Sequence, residues 1–224
     1  MELKSHSKHV FTFEFNQKLA PGVYFPARTT IVKMEEKEVL IHSPGPFDEK
    51  TVTHIKTLGD RFTIIAPNLF HHFYLKDALS QFAPLTCYAP KKLASKIPDF
   101  KDMYHDLSTL PQGFLSQIDA HPIAGNSTLQ EWVFFHKEDK VLICTDLIFN
   151  MRNVNLMTGI VLKVAGAHKT IAQSRLIKLT CNDRHKMRES FRTLAKFGAK
   201  KIIMAHGDII EDAAQWQNFC ETYR

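Results

Sequence analysis

The stretch "TIIAPNLFHHFYLKDAL", Thr63 to Leu79, ends an apolar run at Pro67 and then sets His71 beside His72, ahead of residues at helical spacing. "RFTIIA" reads as a strand and "LKDALSQF" as a short helix, so the doubled histidine falls where a strand hands over to a helix. In layered α/β folds the strand ends form a rim on which side chains from distant parts of a chain converge. The segments around this stretch decide whether such a rim exists.

Upstream, "RTTIVKM" and "EVLIHS" are β-rich runs separated by the charged "EEKE", the pattern of a hairpin. "FDEKTVTHIKTLG" then places Phe47, Val52, Ile55 and Leu58 at roughly helical spacing and stops at Gly59. Downstream come a strand, "LTCYA", and a helix, "PKKLASKI", opened by Pro90 where a missing N–H costs nothing. After a loop rich in Asp, Ser, Pro and Gly, the β-like runs "FLSQIDA", "LQEWVFF" and "KVLICTD" follow, the last two joined by "HKED". From Met151 to Thr180 the pattern is mixed and reads as irregular helix. "HKMRESFRTLAKFG" carries Met187, Phe191, Leu194 and Ala195 on one stripe and ends at Gly198, and "KKIIMA" is a final strand. A last helix is expected to begin at Asp208, with Glu211 as a capping-box variant and Ala213, Trp216, Cys220 and Tyr223 on one face. Two β-rich halves, each finished by helices, predict an α/β (α+β) fold: a four-layer αββα sandwich of two mixed β-sheets flanked by helices.

The chain has 224 residues, 44% of them hydrophobic and 17 of them Phe, enough for one large domain spanning 1–224. Its apolar runs are of strand length, far short of the roughly 20 residues a bilayer crossing needs, and the N-terminus lacks the apolar core of a signal peptide. A cytoplasmic protein with no membrane partner is expected. Cys87, Cys144, Cys181 and Cys220 are scattered with no CxxC pair, which suits reduced thiols. The formal charge of +6 includes lysine clusters in "YAPKKLASK" and "FGAKKI". Such a surface favours an anionic small-molecule substrate, or is simply a solvated face. Neither cluster has the interleaved aromatics of a nucleic-acid groove, so no nucleic-acid partner is expected.

Three polar stations follow strands: His71 and His72 after "TIIA", Asp146 after "VLICT", and His206 with Gly207 after "KIIMA". Imidazoles with a carboxylate are what a borderline divalent ion such as zinc requires. Each residue also has a plainer reading. Adjacent histidines at a strand end often form a polar edge, Asp146 can be a helix N-cap or turn residue, and His206-Gly207 can be only a strand exit.

In the order of these elements, from roughly Arg28 to Tyr223, the sequence resembles the metallo-β-lactamase fold superfamily, in a divergent branch. The family motif His-x-His-x-Asp-His then places its first two histidines on Pro67 and Leu69, its aspartate on His71 and its closing histidine on His72. The histidine of a Gly-His-Thr-like turn falls on Asn126 in "GNS", the later aspartate on Asp146 and the final histidine on His206. The resemblance implies that Pro67, Leu69 and Asn126 abolish a first metal site. It implies too that His71, His72, Asp146 and His206 retain the second, with one divalent metal, zinc first and iron or manganese as alternatives, or no ion at all. Asp146 would also orient the attacking water. The implied activity is metal-dependent hydrolysis of an ester, thioester, lactone or phosphoester. The alternatives are a non-catalytic protein of the same fold that binds a small molecule or protein, and oxidoreductase chemistry at a single iron. His136 is a weaker candidate, able to turn toward Asp146, and His121 is a candidate substitute for the lost turn histidine; His42, His168 and His185 have no partner identifiable in sequence.

Overall fold

The computed structural model describes residues 2–167 and 171–223, so that His168 lies outside the described residues. The chain divides into two units, Met1–Phe15 with Arg28–Gln117, and Asn16–Ala27 with Ile118–Arg224.

The first unit is built on strands β1 (Lys4–Ser5), β2 (Val10–Ala20), β3 (Val23–Lys33), β4 (Glu38–His42), β5 (Arg61–Ile65), β6 (Leu85–Ala89) and β7 (His105–Asp106), which neighbour one another in that order. The far end of the β2–β3 hairpin, Asn16–Ala27, is counted with the second unit. β3 and β4 are antiparallel, and β4 through β7 are parallel, so the sheet is mixed. Val39, Leu40 and Ile41 on β4 and Ile64 and Ile65 on β5 are all fully buried, the continuous apolar pattern of strands covered on both faces. Helices α1 (Glu49–Lys56) and α2 (Leu75–Gln81) contribute Ile55, Leu75 and Ala78 to a core that includes Phe47, Phe62 and Phe82. Asp48 starts α1 by accepting the Thr51 N–H at 2.7 Å, a cap masked in the sequence by the adjoining Phe47 and Glu49. Gly59 serves a different purpose from the expected left-handed stop: a Cβ there would lie 2.2 Å from the Lys37 carbonyl oxygen, so the residue permits close approach of two backbones. Helix α3 covers only Leu93–Lys96, and the Pro90 carbonyl closes a turn ahead of it by accepting the Leu93 N–H at 2.8 Å.

"FLSQIDA" corrects one expectation. Its first four residues belong to helix α4 (Gln112–Gln117), and only then does β8 (Ile118–Pro122) begin. The second unit contains β8, β9 (Trp132–His136), β10 (Val141–Cys144) and β11 (Lys201–Met204), in the spatial order β11-β10-β9-β8. β9 is antiparallel to β8 and β10, whereas β11 is parallel to β10 with Ile203 beside Ile143, giving a second mixed sheet. Its helices are α5 (Leu156–Ala165), α6 (Arg175–Leu179), α7 (Arg184–Lys196) and α8 (Ala213–Thr222). Met187, Phe191 and Leu194 of α7 share a core with Trp216 and Cys220 of α8, as their spacing predicts. The final helix starts later than expected: Asp212, not Asp208, accepts the N–H groups of Ala214 and Gln215. Residues 208–210 are drawn off by other partners, Asp208 N–H to Asn150 O and Ile210 against Ile202. Ala213 is consequently exposed at the helix start. Among the described residues, no helix is long and apolar enough to cross a membrane.

Candidate metal-binding residues

In the first unit, the chain leaving β5 turns at Asn68. The buried amide oxygen of Asn68 accepts the N–H groups of Phe70 (2.7 Å) and His71 (2.8 Å), an Asx turn that makes the doubled histidine part of a loop. His72 O then accepts the Leu75 N–H at 3.0 Å and leads into α2. Adjacent residues in such turns escape the alternation that would send strand neighbours to opposite faces. His71 places Nδ1 2.6 Å from Ser43 Oγ, at the end of β4, where Ser43 continues the ladder through Ile65. His72 behaves otherwise: its ring stacks on Phe73 with centroids 5.1 Å apart, and its buried Nε2 has no hydrogen-bond partner among the described residues. Burial, then the nearby Lys96 charge, hold the His72 pKa below the usual imidazole value. Lys96 clasps the same loop, donating to the Leu69 carbonyl at 2.5 Å and standing 4.4 Å from the Phe70 ring centre. Pro67 and Leu69 are both buried, Leu69 in the apolar core with Ala66 and Leu75.

In the second unit, Asp146 and His206 leave the neighbouring parallel strands β10 and β11, and the structure brings them together. His206 Nε2 stands 3.4 Å from Asp146 Oδ1, both side chains being largely buried. His206 Nδ1 lies 2.9 Å from the Pro26 carbonyl oxygen. A carbonyl can only accept, so Nδ1 carries a proton and Nε2 is the nitrogen turned toward Asp146. An imidazole nitrogen and a carboxylate oxygen therefore face each other, an arrangement stable when a cation, either a proton or a metal ion, is shared between them. The ring is clamped flat against Phe149 (5.4 Å, 10°) and edge-on to Phe25 (6.1 Å). Gly207 is indispensable here: φ is +97°, and a Cβ would meet Asn150 O at 2.3 Å.

Glu131, just before β9, escaped the sequence reading. Only 1% exposed, it accepts the Thr145 N–H (2.6 Å), the Thr145 hydroxyl (2.7 and 2.8 Å) and the Asp146 N–H (3.3 Å). It thus fixes the exit of β10 from which Asp146 projects. Its burial is what a sequence cannot display, since glutamate is ordinarily exposed.

The other candidates are placed elsewhere. Asn126 spends its amide on structure: Nδ2 donates to Ile177 O and Thr180 Oγ1, both at 3.1 Å, and Oδ1 accepts from Thr128 N (3.1 Å) and Leu129 N (2.9 Å). His136 pairs with Asp139 of its own turn at 3.4 Å. It sits opposite Val141, at the other end of β10 from Asp146, about 16 Å away along the strand. His121 packs edge-on to Phe197 on β8, and burial lowers its pKa. His185 lies on the exposed surface of α7, 3.6 Å from Glu189. Cys144 is buried, which pushes its thiol pKa well up and removes it as a nucleophile.

Two mixed sheets with helices, and polar residues at the exits of strands, define the metallo-β-lactamase fold, and the structure matches solved members of that superfamily along its whole length. Among them are the DIM-1 metallo-β-lactamase exposed to ceftazidime (TM-score 0.66, 15% identity, covering 100% of this chain and 97% of that one) and a metallo-β-lactamase from Pontibacter korlensis (0.65, 15%, 99% and 99%). FIM-1 from Pseudomonas aeruginosa, in its mono-zinc form, matches at 0.61 with 13% identity over 99% of this chain and 93% of that one. No family model and no curated protein matches the chain.

Proposed function

We propose that the protein is a metal-dependent hydrolase-like protein that holds one divalent ion, zinc, with Asp146 and His206 as two of its ligands. The observation that carries this reading is the pairing of an imidazole nitrogen with a carboxylate oxygen, 3.4 Å apart, the ring's other nitrogen being tied to the Pro26 carbonyl. This donor set fits a borderline ion. His71 and His72 are the further ligands that the resemblance assigns. Of the two, His71 has Nδ1 2.6 Å from the Ser43 hydroxyl, which leaves Nε2 for an ion when Nδ1 donates to that oxygen, while His72 is stacked on Phe73. FIM-1, a structure of the same fold, has a mono-zinc form, which supports a single ion.

Once bound, such an ion supplies Lewis acidity, polarising a scissile carbonyl or phosphoryl group and acidifying water. The chain's own part is to orient: Asp146 accepts a hydrogen bond from the attacking water, Phe149 and Phe25 keep the His206 ring from rotating, and Glu131 holds the Asp146 main chain. The substrate is a small ester, thioester, lactone or phosphoester, an anion being favoured by the formal charge of +6, and the protein acts in the cytoplasm. A second reading, a non-catalytic binding protein, is favoured by one observation: Pro67 is buried, Leu69 belongs to the apolar core, and Asn126 is spent on turn hydrogen bonds.

Elemental analysis of protein purified without a histidine tag separates the two. We expect about one zinc per chain, lost in both His206→Ala and Asp146→Asn with the fold retained, and unchanged in His136→Ala, whose side chain lies at the other end of β10. Folded protein that takes up no divalent ion would remove the hydrolase reading and leave the binding one.

A further inference from the structure

The second unit exposes an apolar surface that the candidate metal residues do not use. On α5, Leu156 (80% exposed), Met157, Ile160, Val161 and Val164 are all open to solvent, while Thr158 and Leu162 are buried on the opposite side. At 100° per residue the five exposed side chains fill one continuous arc of the helix. This inverts the usual surface helix, whose apolar stripe faces the core. Leu176 and Leu179 (82% exposed) of α6 add to the apolar exposure of the same unit. Single exposed leucines are unremarkable, but seven large apolar side chains on two consecutive helices mark an interaction surface.

Charge decides what covers it. From Leu147 to Asn182 the sequence has Arg152, Lys163, Lys169, Arg175 and Lys178 and no aspartate or glutamate, and the hairpin end Asn16–Ala27 adds Lys18, again without an acid. Lys163 is exposed at the margin of the α5 arc, and Arg175 and Lys178 are exposed beside Leu176 and Leu179. Exposed leucine, isoleucine and valine in a stretch whose charged residues are all cations is the pattern of a helix that lies in the interface of a membrane with anionic lipid. There the apolar arc enters the acyl boundary and the long basic side chains reach back to headgroups. A second copy of the chain fits less well, because a symmetric contact would set the same cations against each other.

We propose that the α5–α6 surface docks the protein on an anionic lipid bilayer. The expectation of no membrane partner rested on the absence of a spanning segment, and surface docking needs none. The inference stands apart from the metal reading, since its probe is lipid alone.

The test is flotation of the full-length protein with vesicles of phosphatidylcholine alone and of phosphatidylcholine with an equal part of phosphatidylserine, at low and high salt. We expect binding to the mixed vesicles, weakened by salt, and little to phosphatidylcholine alone. Replacing Leu156, Ile160 and Val164 together by Ser should reduce that binding at least tenfold. So should a Lys163→Glu, Lys178→Glu pair. All five side chains are exposed, so the variants should melt with the parent, and a melt within error of the parent shows that lost binding is not lost folding. Equal flotation with both vesicle types, no flotation with either, or unchanged binding by the serine variant would overturn the proposal. So would a dimer in sedimentation that the serine variant turns into monomer without any effect on vesicle binding.

Discussion

His42 shows what a single buried side chain does to the pH response of the fold. It lies at the end of β4, fully enclosed, and burial followed by the neighbouring His71 charge lowers its pKa to about 3. In the unfolded chain the same ring titrates near 6.5, so between those values the unfolded state holds the extra proton. The stabilisation is therefore complete above about pH 6.5 and declines as pH falls toward 3, by roughly 5 kcal/mol in all. Urea titrations at about pH 7.5 and about pH 5 should differ by about 2 kcal/mol on this account, and His42→Asn should narrow that difference. An unchanged difference in the variant would place the acid sensitivity in other groups, His72 and His121 being shifted in the same direction. At this scale the sequence displays titratable residues at strand exits, and the placement of His71, Asp146 and His206 at such exits was legible for that reason. Ser43, Asn68 and Glu131 were not, because each acts by holding something else and nothing in its neighbours' letters reports the burial that makes this possible.

At the scale of elements, the loop around Asn126 binds the β8–β9 connection to the C-terminal end of α6, through Ile177 O and Thr180 Oγ1. A histidine there, the residue the family resemblance leads one to expect, would give up four amide hydrogen bonds for at most two. Asn126→His should destabilise the protein by about 2–4 kcal/mol, from lost bonds and unpaired buried groups. It should also add no second metal to the elemental count, because Pro67 and Leu69 offer no donor atom. A variant as stable as the parent, carrying more zinc, would show the turn to be a dormant ligand position. Elements themselves were legible where periodicity was long, as in α7 and the parallel strands, and misjudged where capping residues compete. Asp208 and Asp212 are equally good caps by type, and the choice between them is made by Asn150 and Ile202, remote in sequence. The helical start of "FLSQIDA" went unseen for a related reason, since α4 is too short to show a full helical period.

Across the whole molecule, the chain passes between its two units inside β2 and again inside β3, both of them unbroken strands. Melting either strand would therefore disrupt both units, and we expect one domain in the thermodynamic sense. Trp132 and Trp216, the only tryptophans, belong to the second unit, so their fluorescence reports on it alone, whereas far-ultraviolet circular dichroism reports on both. The two denaturation curves should coincide within error, and a fluorescence midpoint displaced from the dichroism midpoint would mean that the units unfold separately. The two mixed sheets could be anticipated from the run of β-rich segments, yet the β2 strand was overlooked although "FTFEF" alternates as a half-buried strand should.

The oxygen that holds His206 in place belongs to the main chain of Pro26, and every residue type carries that atom. A codon change at position 26 thus leaves the orienting partner standing for as long as the backbone keeps its path, whereas a change at 206 deletes the imidazole.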